Sequence, residues 1–280
     1  MKLTLLGTGG PLPDPARHGP AAMLQIGNKY LLFDAGRGVV LQMVRAGIPI
    51  ERVNPVFITH HHYDHIGDLP DLILTSWLQG RKHTLKIFGP PGTISIIKTL
   101  LDQVYNKDIE FRSKGELAIG WTPVESTDLR AGFVHDGGNC KVFAEMVTHG
   151  HGLGFPRIFK EQWVCLGYRV EAEGKVIAIS GDSIACEGLD RLARDADVLV
   201  LCCYLAQAEI TNPYMERLAK DTIACSDSVG KIAKKARVKK LVLTHFGPKP
   251  GVMMPEIASD VARDYEGPVL LGKDLDEVLV

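Results

Sequence analysis

The stretch Thr59-His60-His61-His62-Tyr63-Asp64-His65 constrains this chain more than any other, because it sets four metal-ligand side chains directly behind an apolar, β-branched run at residues 53–59. Such a run reads as a buried strand. In an extended segment residues i and i+2 point to the same side, so His60 and His62 can converge on one metal. Asp64 and His65, past the strand end, are then free to turn toward a second. Imidazole and carboxylate donors suit zinc, and also manganese, iron or cobalt. A set without thiolates points to an open catalytic site rather than a closed structural one. With ten histidines in 280 residues, a chance match to H-x-H-x-D-H is on the order of one in a thousand.

Two metals need more donors than this, and catalytic groups sit on loops carried by a rigid scaffold. Three residues qualify because each ends a predicted strand: His149 after residues 142–148, Asp182 after 176–180 and His245 after 240–244. His151, in Thr148-His149-Gly150-His151, is the alternative to His149, which is preferred because it follows the strand directly. Asp34, closing the run at 30–33, reads either as an ordinary turn residue or as a group that orients the histidine loop without touching metal.

The rest of the chain predicts strands at 2–6, 22–26, 30–33 and 85–88, with helices at 39–46 and 69–79. After a poorly patterned middle come strands at 141–148, 164–171, 176–180, 198–201, 240–244 and 269–271, and helices at 221–236 and 255–265. Two series of strands, each finishing in helices, fit a pair of packed sheets with helices outside. No low-complexity tract or Gly/Ser linker divides them, so residues 1–280 are expected to form a single metallo-hydrolase domain. A net charge of -1 provides no overall basic field for nucleic acid. The first apolar run is too short for a secretory signal, and no stretch reaches the ~18 apolar residues of a membrane span. A cytoplasmic enzyme without a membrane partner is the expectation. Six cysteines without a C-x-x-C pair read as reduced, mostly buried thiols.

Further motifs follow in order: Gly7-Thr8-Gly9, Leu32-Phe33-Asp34-Ala35-Gly36, the histidine motif running into Ile66-Gly67-Asp68-Leu69-Pro70, Phe88-Gly89-Pro90, Gly167-Tyr168-Arg169, Ser180-Gly181-Asp182 and Leu243-Thr244-His245-Phe246. With these, the chain resembles the metallo-β-lactamase superfamily over nearly its full length, in the branch of ribonuclease Z and arylsulfatase-like hydrolases. The resemblance implies an α/β fold, the αββα four-layer sandwich. It implies His60, His62 and His149 on one metal, Asp64, His65 and His245 on the other, and Asp182 bridging both. Two divalent ions are expected, zinc first and manganese or iron as alternatives.

Two metals about 3.5–4 Å apart can hold a water between them and lower its pKa, leaving a bridging hydroxide as nucleophile. Asp64 could then receive the proton, so Asp64 and Asp182 are the expected catalytic carboxylates. The transfer-RNA processing members place a catalytic histidine in an H-x-T-like motif, where this chain has Ile223, and a shift of a few residues finds only Ala224 or Cys225. A long basic arm between Phe88 and Lys141 is also missing. The expected substrate is therefore a small-molecule ester, lactone, amide or sulfate ester, and nucleic acid is not expected as a partner. A ribonuclease Z-like phosphodiesterase is the first alternative, and a non-catalytic or redox metal-binding member of the fold the second. A homodimer is left open. For substrate contacts, residues 150–163 offer Phe155, Phe159 and Trp163 as apolar surface and Arg157 and Lys160 for an anion; Lys249 is a further candidate, and Arg17 and His18 weaker ones. Gly150, Gly152 and Gly154 lend the segment backbone freedom, which suggests a lid.

Overall fold

In the computed structural model, which describes residues 1–116, 120–249 and 253–280, the apolar runs of the first half form β1 (Lys2–Gly7), β2 (Ala21–Ile26), β3 (Lys29–Phe33), β4 (Val53–Phe57) and β5 (Leu85–Gly89), and the polar β6 (Val124–Asp128) joins them. Helices α1 (Val39–Arg45), α2 (Tyr63–Ile66), α3 (Leu69–Leu78), α4 (Thr93–Thr99) and α5 (Asn106–Glu110) lie between them. Then follow β7 (Gly132–Asp136), β8 (Cys140–Val147), α6 (Arg157–Gln162), β9 (Cys165–Ala172), β10 (Lys175–Ile179), α7 (Glu187–Ala193) and β11 (Val198–Cys202). The chain closes with α8 (Pro213–Asp221), α9 (Ser226–Ala236), β12 (Leu241–Thr244), α10 (Met253–Ala262), β13 (Val269–Leu271) and β14 (Glu277–Leu279).

Among the described residues there are two seven-stranded sheets, ordered β14-β1-β2-β3-β4-β5-β6 and β13-β12-β11-β10-β9-β8-β7. Both change direction in the middle: pairing is antiparallel up to β3 and up to β10, and parallel beyond. Parallel neighbours require long crossovers, and the helices supply them. The period-2 alternation of each strand divides its side chains between layers. Leu31 and Phe33 of β3 join the core between the sheets, whereas Leu32 packs under the helices of the first half. Likewise Val198 and Val200 of β11 face inward, and Leu199 and Leu201 face the helices of the second half. In α9, Val229, Ile232, Ala233 and Ala236 form the buried stripe expected at helical spacing. Each large aliphatic side chain so buried contributes roughly 1.5–3 kcal/mol relative to exposure. The result is the four-layer αββα sandwich expected from the motifs.

Several elements depart from the sequence expectation. The helix predicted at 221–236 begins only at Ser226, as α9; Asp221 is the last residue of the separate α8, and residues 223–225 between them are held out of helix by tertiary bonds. Ala224 N donates to the Ser183 carbonyl at 2.8 Å, and its own carbonyl accepts from Tyr204 N at 3.0 Å. The poorly patterned middle contains α4, α5, β6 and β7; most of their side chains are at least partly exposed, so no apolar period marks them. Within residues 150–163, read as a glycine-rich lid, α6 forms and Gly150 N donates to the Asp221 carbonyl at 2.9 Å. No helix among the described residues is long and apolar enough to cross a membrane.

Candidate metal centre

The donors gather where open α/β sheets place their ligands, outside the carboxyl ends of strands near the point where pairing changes direction. Asp34, directly after β3, builds the frame. It sits at φ 59°, and its Oδ1 accepts from Thr59 N at 2.7 Å. Its Oδ2 accepts from Thr59 Oγ1 at 2.8 Å and from His65 Nδ1 at 2.8 Å. The second sheet secures the same loop: Tyr168 Oη donates to the Ile58 carbonyl at 2.7 Å and Leu166 N to the Thr59 carbonyl at 2.8 Å. Gly181 must be glycine here, since its φ is 59° and a Cβ would lie 2.8 Å from Thr59 Cβ. Asp34 thus orients the histidine loop, and Thr59, which sequence reasoning passed over, is its principal partner.

Seven side chains predicted as ligands meet in two groups, His60, His62, His149 and Asp182 in one and Asp64, His65 and His245 in the other. Asp182 faces both. Its Oδ2 lies 3.9 Å from His60 Nε2 and 3.8 Å from His149 Nε2, and its Oδ1 lies 3.5 Å from His65 Nε2 and 3.2 Å from His245 Nε2. His62 Nδ1 stands 2.9 Å from His60 Nε2 and 3.2 Å from His149 Nε2. His149 is tied by Nδ1, which donates to the Thr222 carbonyl at 2.6 Å, so Nε2 presents its lone pair to the cluster. His151 belongs to neither group; its Nδ1 accepts from His149 N at 3.2 Å.

This donor set fits divalent metal. Asp64 Oδ2, Asp182 Oδ1 and His245 Nδ1 are buried without a hydrogen-bond partner among the described residues, a costly state for carboxylates unless a cation compensates them. Burial, reinforced by His65 and His149, holds His60 well below the ordinary imidazole range, and burial lowers His149 too. His62, the one exposed member of its group, is drawn down to about 4 by partial desolvation and by His149. Neutral imidazoles are the form that binds metal. Burial acts against ionisation of Asp182, yet the facing His245 and His65 keep it well below the usual carboxylate range. Burial would lower His65, but Asp182 and Asp34 outweigh it and raise its pKa well above the ordinary value.

A cavity of about 180 Å³ opens on both groups, walled by Tyr204, Tyr214, Leu218 and Ile223. Sequence reasoning singled out neither tyrosine. Of the predicted substrate contacts, Trp163 lies at the centre, its ring 4.9 Å from His62, and Phe159 and Phe155 continue the row outward. Lys160 lines a neighbouring groove. Four basic candidates have partners within the chain. Lys249 Nζ is buried against Glu209, and Arg157 pairs with Glu161 one helical turn on. Arg17 donates to Thr8 Oγ1 and the Gly272 carbonyl over the Phe246 ring, while His18 faces Asp274 at 2.7 Å. Lys249 is therefore corrected: its buried cation already has its counter-charge.

A family model described as the beta-lactamase superfamily domain matches residues 29–246. The chain belongs to the metallo-β-lactamase superfamily. A curated relative, "Ribonuclease Z" of Mycobacterium bovis (strain BCG / Pasteur 1173P2), is 30% identical over 288 residues, covering 100% of this chain and 98% of that protein. Among solved structures, human tRNase Z, short form, superposes with a TM-score of 0.73 at 24% identity, covering 100% of this chain and 99% of that one. The metallo-beta-lactamase fold protein YhfI from Bacillus subtilis does so with 0.75 at 19% identity, covering 99% and 98%. This superfamily member is a metal-dependent hydrolase. Its ribonuclease Z relatives overturn the expected small-molecule ester, lactone, amide or sulfate ester, and with it the expectation that nucleic acid is not a partner. The inference from Ile223 and the missing arm set a few absent residues against a likeness that runs the length of both chains, and the likeness prevails.

Proposed function

We propose that this enzyme is a dinuclear zinc phosphodiesterase acting on RNA, with residues 1–280 working as a single domain in the cytoplasm. The observation that carries the reading is the full-length likeness to proteins named ribonuclease Z. The donor arrangement supports it. His60, His62 and His149 would hold one ion, Asp64, His65 and His245 the other, and Asp182, with one oxygen toward each group, would serve both. Bound there, divalent metal supplies Lewis-acid polarisation of the phosphoryl group and makes water a better nucleophile near neutral pH. Water adds to phosphorus, the bond from phosphorus to the leaving oxygen breaks, and a proton must travel between the two oxygens. Asp64, whose Oδ2 has no hydrogen-bond partner, is the group suited to carry it. Ile223 itself, an apolar side chain on the cavity wall, has no proton to give. Asp34, Thr59 and the Thr222 carbonyl keep the imidazole edges aimed inward.

Support for one domain comes from β14, which pairs with β1 and so returns the end of the chain to the first sheet. All six cysteines are free, in keeping with a reducing compartment. The test is cleavage of 3′-extended transfer RNA and of unstructured RNA by metal-loaded protein, with elemental analysis. Cleavage abolished by chelation, restored by zinc and accompanied by two ions per chain is expected. Protein with its full metal content that leaves every RNA of the panel intact sinks the reading.

A further inference from the structure

Phe155, Phe159 and Trp163 are spaced four residues apart across α6, and their rings form a row. Phe155 and Phe159 lie 4.4 Å apart; Phe159 and Trp163 are 5.9 Å apart and nearly parallel, at 12°. One end of the row is anchored at the metal centre, where Trp163 packs on His62 and donates from Nε1 to the His149 carbonyl at 3.0 Å. The other end is open to water, with Phe155 45% and Phe159 39% exposed. Beside the row runs a groove of about 490 Å³, for which Trp163 forms the shared wall, and Arg130, His151 and Lys160 also line it. Among the described residues neither Arg130 nor Lys160 has an acidic partner, while the groove's carboxylate, Glu161, is already engaged by Arg157 at 2.6 Å.

We propose that this row and groove form a track for an unpaired stretch of the RNA substrate, its bases stacked on Phe155 and Phe159 and its phosphates against Arg130 and Lys160. The proposal rests on the phosphodiesterase reading and adds the form of RNA that is read. Aromatic faces accept any base, and stacking on them is strong and tolerant of sequence. A duplex keeps its bases stacked on one another and has no free face to offer, so the track selects single strands. A chain with net charge -1 exerts no long-range pull on nucleic acid; two uncompensated cations beside the path to the metals supply a local one.

Fluorescence anisotropy of metal-loaded enzyme with a nuclease-resistant, fluorescein-labelled oligouridylate octamer tests this, beside cleavage of natural RNA. The double substitution Phe155→Ala/Phe159→Ala should weaken binding about tenfold or more, and Phe155→Tyr/Phe159→Tyr, which keeps the ring faces, should retain it. Arg130→Ala/Lys160→Ala should weaken binding and flatten the slope of log K against log salt by about 1.4, two contacts at about 0.7 each. Metal content should be unchanged in all three. Octamer affinity within twofold of wild type in both alanine variants overturns the track, as does a duplex of equal length that binds the wild type as well as the octamer does. Octamer binding that follows these variants in an enzyme that cleaves no RNA leaves the track standing and sinks the phosphodiesterase reading. RNA cleavage that persists while both alanine variants bind like wild type does the reverse.

Discussion

The metal rim and the segment at 150–163 lie side by side yet are built on opposite terms. At the rim, six of the seven donors are buried, and His60, His65 and His149 are each held by a second side chain or carbonyl, from Thr59, Asp34 and Thr222. In the segment, the aromatic rings hold one another, and the charged side chains of Arg157 and Glu161 pair in water. Buried polar groups are worth much and tolerate little change, whereas exposed ones contribute tenths of a kcal/mol. Chemistry therefore belongs to the rim and recognition to the segment, and substitutions in the two regions should fail in different ways.

The largest effect expected is that of Asp182→Asn. One amide in place of a carboxylate that faces four imidazoles removes charge from both groups at once, so at least one ion should be lost and turnover should fall at least a hundredfold. Elemental analysis and RNA cleavage read this directly. If Asp182→Asn kept both ions while Phe159→Ala lost one, the division between rim and segment would be wrong.

A smaller effect should follow at one remove from the donors. Asp34→Ala takes the acceptor from His65 Nδ1, Thr59 N and Thr59 Oγ1, three bonds between 2.7 and 2.8 Å. Substitution of such supporting partners weakens metal binding by about 10–100-fold, and competition with a chromogenic chelator measures it. Affinity unchanged in Asp34→Ala would mean that the backbone alone orients the loop.

The same contrast explains what could be read in the sequence. His60, His62, Asp64 and His65 were legible because strand periodicity and a short spacing place them, and His149, Asp182 and His245 because each follows a predicted strand end. Strands such as β3 and β11 were legible because buried alternation leaves a pattern. The break between α8 and α9 was not, since it depends on Ala224 meeting Ser183 and Tyr204, contacts from distant parts of the chain. For the same reason Tyr204 and Tyr214 went unnoticed beside the donor groups. Lys249 misled because its partner, Glu209, is forty residues away. Ile223 lines the cavity, but one apolar side chain and a missing arm were allowed to decide the substrate class.

The smallest effect expected is the most selective probe of the comparison. Arg157 and Glu161 form an exposed i,i+4 pair, with 92% and 58% of their side-chain surfaces open. Pairs of this kind contribute under about 0.5 kcal/mol, so Arg157→Ala should leave the melting temperature and metal content within error of wild type. Its consequence should be electrostatic instead. Glu161 borders the groove that Arg130 and Lys160 line, and without Arg157 its carboxylate stands uncompensated beside them, offsetting part of the pull on phosphate. Octamer binding should then weaken severalfold at low salt, and the deficit should shrink as salt screens the exposed charges. Arg157→Ala/Glu161→Gln, which removes both charges, should restore binding. A deficit in Arg157→Ala that the second substitution left untouched would mean that Arg157 meets the RNA itself, and the groove's charge would have to be apportioned anew.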